Sequence, residues 1–226
     1  KIVLENNIPV TRGLGSSSAG IVGGIVAANA LCGNKLSRHE LVTIAAKLEG
    51  HPDNTTPAIT GGVAVAVKGE HVSYIKLPAR CDDLRFALFI PKFTLNTARA
   101  RSVLPKAVSH TDAVFNTSRS ALLTAALVTK RYDMLHIAMQ DRLHQPFRKC
   151  LIGGANRIFR FGREHRAYAT YISGAGPTIV SVINKRNEEE FLHRAENFLL
   201  KHMNGWSIKI VSADRCGAAV IDKREE

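Results

Sequence analysis

IPVTRGLGSSSAG, from Ile8 to Gly20, sets two glycines and three serines between a strand-like segment and a run of small and apolar residues. Residues 1–8 read as a strand. Ser16 to Leu31, with Ile21, Val22, Ile25, Val26 and Leu31, reads as a helix packed closely against a sheet. Strand, glycine turn, helix is a physical recipe for an anion site. Glycine lets the backbone approach a ligand and take positive φ, and the first helical amides are unpaired at the positive end of the dipole. No lysine follows the last glycine, so this is not a G-x-x-x-x-G-K-[ST] loop. Nor is it a dinucleotide-binding G-x-G-x-x-G turn with an acidic residue about 20 positions on. A serine hydroxyl can supply a magnesium ligand instead. On these residues alone, a plain strand-to-helix turn stands as the other reading.

A second cluster, Glu49-Gly50-His51-Pro52-Asp53-Asn54, gathers two carboxylates, an imidazole and an amide. Pro52 stiffens the turn, and Pro57 argues against helix soon after. The cluster suits either a surface turn or, beside a phosphate loop, a magnesium nucleotide, because octahedral magnesium takes one or two carboxylates plus phosphate oxygens. A third cluster, Ser173-Gly174-Ala175-Gly176-Pro177-Thr178, lies between two strand-like runs. It reads as a glycine turn supporting the first loop or as a simple hairpin.

Around these clusters the pattern is mixed. Ser37-Arg38-His39-Glu40 is a capping box that starts a helix with a buried stripe of Leu41, Ile44, Ala45 and Leu48. Residues 61–67 and 72–77 read as an antiparallel strand pair around Lys68-Gly69-Glu70. A second segment begins near Asp82. It has strands at 84–91, 167–173, 178–183, 206–212 and 216–221, helical periodicity over 110–145, and an amphipathic helix from about Asn187 to His202. The interleaving lacks the regular alternation of a doubly wound sheet. It predicts an α+β architecture of two subdomains, 1–80 and 81–226, meeting near residues 78–83.

Composition bounds the function classes. The chain has 226 residues, 45% of them apolar, and a formal charge of +12. That charge raises a nucleic-acid partner as an alternative. The basic residues between Lys130 and Arg166 are dispersed among apolar positions, however, as on solvated helix faces, and no nucleic-acid motif accompanies them. No run approaches the roughly 18 apolar residues of a membrane span. Cys32, Cys81, Cys150 and Cys216 form no C-x-x-C pair, which argues against zinc and for free thiols in a reducing compartment.

In this order the clusters resemble the GHMP kinase superfamily. P-x-x-x-G-L-G-S-S, here Pro9 to Ser17, is its nucleotide-phosphate loop, and SGAGPT matches its C-terminal glycine motif. EGHPDNTTPAITGG (49–62), ARSVLP (100–105), AVFNTSRSALLTAAL (113–127) and DRLHQPFR (141–148) are similar to the homoserine kinase family within it. The resemblance spans essentially the whole chain. It implies a β-α-β nucleotide domain, incomplete here, followed by a ferredoxin-like α/β domain. It implies ATP and Mg2+ as cofactors and transfer of the γ-phosphoryl to the hydroxyl of L-homoserine.

By the same resemblance, Pro9, Val10, Thr11, Arg12, Gly13, Leu14, Gly15, Ser16, Ser17, Ser18 and Ala19 wrap the phosphates, and Ser17 and Glu49 hold magnesium. Asn54 and Asp53 are the catalytic candidates at the homoserine hydroxyl, with His51 nearby. Arg101 and Arg148 clamp the substrate carboxylate, a role that planar guanidinium forks suit. A cytoplasmic homodimer, without membrane or nucleic-acid partner, is implied as well. The alternatives are another GHMP kinase of the mevalonate type or a non-catalytic nucleic-acid-binding domain.

Two departures accompany the resemblance. The family's ANLGPGFD segment has no counterpart, so the expectation is that an N-terminal portion either has been lost or exists as a separate chain or segment. Exposed apolar surface is then expected in the first subdomain, and the chain alone is expected to be inactive or to aggregate. The family's frequent PLIPG block reads Cys150-Leu151-Ile152-Gly153-Gly154 here.

Overall fold

Residues 1–221 are described by the computed structural model, in two compact units. One comprises Lys1–Leu14 and Cys81–Ser212. The other runs from Gly15 to Arg80 and takes in the residues from Ala213 onward. The chain thus passes between units inside the glycine turn.

In the unit that starts at Gly15, α1 (Ser16–Leu31) packs on α2 (Arg38–Glu49) and α3 (Thr55–Thr60). The capping box forms as expected: the Ser37 hydroxyl accepts from the Glu40 amide, and the Glu40 carboxylate accepts from the Ser37 amide at 2.8 Å. The buried face of α2 is broader than the expected stripe. Leu41, Val42, Thr43, Ala45 and Ala46 are buried, while Leu48 is 63% exposed. The reason is that α2 packs against three elements, α1, α3 and β2. On α1 only Val22 of the expected apolar set is fully buried, Leu31 is exposed, and the main contacts are with the helices α2 and α3.

Strands β1 (Ala64–Lys68) and β2 (Val72–Lys76) pair antiparallel, with Val65 opposite Ile75. On this pair Val65, Val67 and Ile75 are exposed, whereas Val72 joins a core of Val22, Leu41, Val42 and Ile59. Pro57 does not break α3. It sits in the first turn, where its missing amide is not needed. Residues 216–221 form no strand. Asp214 accepts from the amides of Cys216 and Gly217, Gly217 takes φ +72°, and the Ala218 amide bonds to the Ala58 carbonyl. An Asx-type turn has consumed the groups that a ladder would use.

In the other unit the order is β3 (Leu84–Pro91), α4 (Thr97–Ser102), α5 (His110–Val128), α6 (Leu135–Ala138), α7 (Gln145–Arg148), α8 (Ala155–Glu164), β4 (Ala169–Ile172), β5 (Ile179–Asn184), α9 (Glu188–His202) and β6 (Trp206–Val211). The sheet runs β4-β5-β3-β6 with every pair antiparallel, which is the ferredoxin-like β-α-β-β-α-β arrangement. Phe89 on β3, Phe161 on α8 and Phe191 on α9 meet edge to face at 5.4–6.4 Å. Such contacts contribute roughly 0.5–1.5 kcal/mol a pair beyond area burial.

Two expectations change in this unit. Residues 1–8 form no ladder; at their end the Asn6 side chain accepts from the Ile8 amide at 3.0 Å and donates to its carbonyl at 3.1 Å. The helical run 110–145 is broken after Val128. Lys130 adopts φ +56°, which ends the helix, and only a 3-10 turn and α6 follow. Asp141 then accepts from the amides of His144 and Gln145 at 2.8 and 2.6 Å and starts α7. All four cysteines are free, and among the described residues no helix is long and apolar enough to cross a membrane.

Candidate active site

The first helical hydrogen bond of α1 runs from the Ala19 amide to the Gly15 carbonyl, so the amides of Ser16, Ser17 and Ser18 have no intrahelical acceptor. No acidic residue lies in that turn and no side chain caps it. Gly15 holds φ +72°, a conformation that favours glycine.

Glu49 reaches this turn from the end of α2. Its Oε2 accepts from Ser17 Oγ and its Oε1 from Ser18 Oγ, both at 3.0 Å. A carboxylate is disfavoured at the C-terminus of its own helix and favoured at the N-terminus of another. Glu49 is therefore placed for the α1 turn rather than for α2. Among the described residues no group of three His, Cys, Asp or Glu side chains stands ready to cage a metal. One carboxylate with serine hydroxyls is a hard-oxygen set that fits magnesium, which keeps waters and phosphate oxygens in its octahedron.

Beyond Gly50 the chain turns, and His51 Nδ1 meets Asp53 Oδ1 at 2.5 Å. The same oxygen accepts from the Asn54 amide at 3.0 Å. Asp53 is largely exposed, and its second oxygen carries no bond among the described residues. The Asn54 side chain lies beside Gly15, where an added Cβ would stand 3.6 Å from Asn54 Oδ1. Glu49, Ser17, Ser18, Asp53 and Asn54 therefore cluster within one unit.

In the other unit, Arg12 anchors the start of the turn. Its Nε donates to the Pro91 carbonyl at 2.9 Å, and its Nη atoms donate to the carbonyls of Val10 and Lys92. Pro9 and Val10 are exposed, and Thr11 takes φ +55°. The SGAGPT segment closes the β4–β5 hairpin, the Ser173 amide bonding to the Thr178 carbonyl at 2.9 Å. It also grips the turn. Ser173 Oγ donates to the Gly13 carbonyl at 2.7 Å, and the Thr178 amide donates to the Arg12 carbonyl at 3.2 Å. Both readings of this motif hold at once. Gly13 has φ +73°, and a Cβ there would come within 2.7 Å of the Gly176 carbonyl oxygen.

Arg148, at the end of α7, donates from Nε to the Ala100 carbonyl at 3.2 Å and from Nη1 to the Gly174 carbonyl at 2.9 Å. Burial and then the positive charge of Arg101 pull its pKa below the ordinary arginine value. The two arginines are thus electrostatic neighbours, as a clamp for an anion requires. Gln145 is buried and ties α7 to β4, accepting from the Ile172 amide at 3.0 Å. Sequence reasoning gave no role of its own to Ser18 as a Glu49 partner, to Ser173 as a loop anchor, or to His144. The i, i+4 spacing of His144 and Arg148 was the available signal for the last.

The fold and these clusters define a kinase of the GHMP class. The family model described as GHMP kinases N terminal domain matches residues 1–62, and that described as GHMP kinases C terminal matches residues 123–200. A homoserine kinase of Caldicellulosiruptor saccharolyticus is 49% identical over 97% of this chain and 72% of its own length. One from Clostridium kluyveri is 41% identical over 97% of this chain and 73% of its own. The crystal structure of a Cytophaga hutchinsonii homoserine kinase, 27% identical, superposes with a TM-score of 0.86 over 94% of this chain and 69% of that one. The chain belongs to the homoserine kinase family.

Proposed function

We propose that this protein transfers the γ-phosphoryl group of ATP to the side-chain hydroxyl of L-homoserine, giving O-phospho-L-homoserine and ADP. The observation that carries this reading is the Glu49 carboxylate bonded to Ser17 and Ser18 on an uncapped helix N-terminus, in a chain of this family.

The amides of Ser16, Ser17 and Ser18 and the Arg12–Gly15 backbone hold the nucleotide phosphates. Ser17 and Glu49 are the residues that hold magnesium, whose chemistry is to neutralise phosphate charge as it develops. Ser18 fixes the Glu49 carboxylate from its second oxygen. Arg101 and Arg148 bind the substrate carboxylate, and Asn54 with Asp53 holds the hydroxyl. Phosphoryl transfer rests on in-line positioning and charge stabilisation, so Asp53, held by His51, acts chiefly as a positioning acceptor.

A coupled assay of ADP release tests the reading. Release that depends on L-homoserine, and that mevalonate neither replaces nor inhibits, supports it. Equal activity with mevalonate would favour the other substrate class within the fold.

A further inference from the structure

Arginine is a pure donor. His144 Nδ1 lies 3.2 Å from Arg148 Nη1, so that ring nitrogen must be the acceptor and the proton must sit on Nε2. Nε2 in turn faces Asp141 Oδ1 at 3.8 Å, beyond hydrogen-bond reach but close enough for the carboxylate to favour this tautomer. Asp141 accepts from the Asn116 side chain at 2.6 Å and from the amides of His144 and Gln145, which keeps it ionised.

Arg148 is therefore gripped by three acceptors, the carbonyls of Ala100 and Gly174 and the imidazole of His144, and none of them carries a charge. A carboxylate at that position would orient the guanidinium equally well but cancel its charge. Neutral acceptors orient it and leave the full charge for a ligand. Among the described residues Nη2 of Arg148 has no partner, so one arm of the fork is open.

We infer that His144 is a positioning residue that holds Arg148 for the substrate carboxylate, and that it does so only while its imidazole is neutral. The inference rests on the proposed kinase activity for its readout of substrate binding. Protonation places an N–H against the Nη1–H donor and sets a third cation beside Arg148 and Arg101. The charged groups facing His144 are Asp141, before α7, and Arg148, on α7. Arg101 from α4 stands beyond Arg148, and Arg119 from α5 lines the same cavity of about 160 Å3. Burial and Arg148 together outweigh Asp141 and hold the imidazole below the ordinary histidine range, so it is neutral at pH 7 and above.

The test is homoserine saturation at saturating Mg-ATP, between pH 8 and pH 5, with the wild type, His144→Asn and His144→Ala. The asparagine Oδ1 stands the same number of bonds from Cβ as Nδ1 and cannot be protonated. At pH 8 the expected KM for homoserine in His144→Asn is within about twofold of wild type. In His144→Ala it is roughly tenfold higher, with kcat little changed. On acidification the wild-type KM rises roughly fivefold or more, while that of His144→Asn stays flat. A parallel acid rise in both proteins, or a wild-type KM in His144→Ala at pH 8, overturns the inference. Nitrogen-15 spectra of the imidazoles read it without turnover. A neutral Nε2–H tautomer for His144 supports the inference and an Nδ1–H tautomer overturns it, whereas wild-type protein without homoserine-dependent ADP release overturns the kinase reading alone.

Discussion

The hydroxyl of Ser173 donates to the carbonyl of Gly13 at 2.7 Å, across 160 positions of sequence. With the Thr178 amide on the Arg12 carbonyl, it fixes the backbone that precedes helix α1. Ser173→Ala removes one half-buried hydrogen bond, worth about 1 kcal/mol. The KM for ATP should rise about fivefold, and the KM for homoserine should stay within experimental scatter. A rise in the homoserine KM alone would place Ser173 elsewhere in the mechanism.

On the proposed reading Glu49 would hold magnesium and Ser18 would orient its carboxylate, and two substitutions separate these roles. Glu49→Gln should lower kcat by about a hundredfold or more, because the charge that attracts magnesium is lost. Ser18→Ala leaves the carboxylate in place but free to turn, and the magnesium concentration for half-maximal rate should rise about tenfold. Titration of activity against Mg2+ checks both. Near wild-type turnover in Glu49→Gln would remove this residue from the metal site.

Asp53→Asn distinguishes positioning from proton abstraction. Asparagine keeps an acceptor toward His51 but is a far weaker base. If the residue positions the hydroxyl, kcat should fall by about tenfold or less. A loss in the general-base range of about 10²–10⁴ would assign the proton to Asp53.

Asp141 should make stability depend on acid. Burial raises its pKa, but hydrogen bonds from Gln145, His144 and Asn116 outweigh burial, and the carboxyl titrates below its ordinary 3.8. A group with a depressed folded pKa stabilises the native state above its unfolded value, and that contribution is lost as pH falls through the folded value. Asp141→Asn should therefore be less stable than wild type at pH 7, by roughly 1–3 kcal/mol. The gap should narrow toward pH 3 in denaturant unfolding, whereas a gap independent of pH would deny the carboxylate this role.

Much of this arrangement is legible in the sequence where local chemistry decides. The Ser37–Glu40 box forms because both of its partners lie within one turn. The β1–β2 pair and the strand of residues 84–91 follow from alternating apolar residues. The elements misjudged were those decided by side chains bonding to nearby backbone. Asn6 took the Ile8 groups at the end of an expected first strand, Asp214 those of a last one, and Lys130 ended a helix whose apolar pattern continued past it. The candidate site divides in the same way. Glu49, the HPDN turn and the SGAGPT turn stood out as motifs, whereas the particular bond of Ser173 to Gly13 and the pairing of His144 with Arg148 come from partners that the topology brings to them.

The β4–β5 pairing sets Ile172 opposite Ile179, and the hairpin closes directly beyond that pair. Slipping β4 by one residue against β5, which β3 holds on its other edge, would exchange the faces of β4 and withdraw Ser173 from the backbone it holds. The shape of the glycine turn is thus inherited from strand alignment. On the proposed reading, substitutions that loosen Val180 or Val182, buried in the sheet and remote in sequence from the turn, should weaken nucleotide affinity.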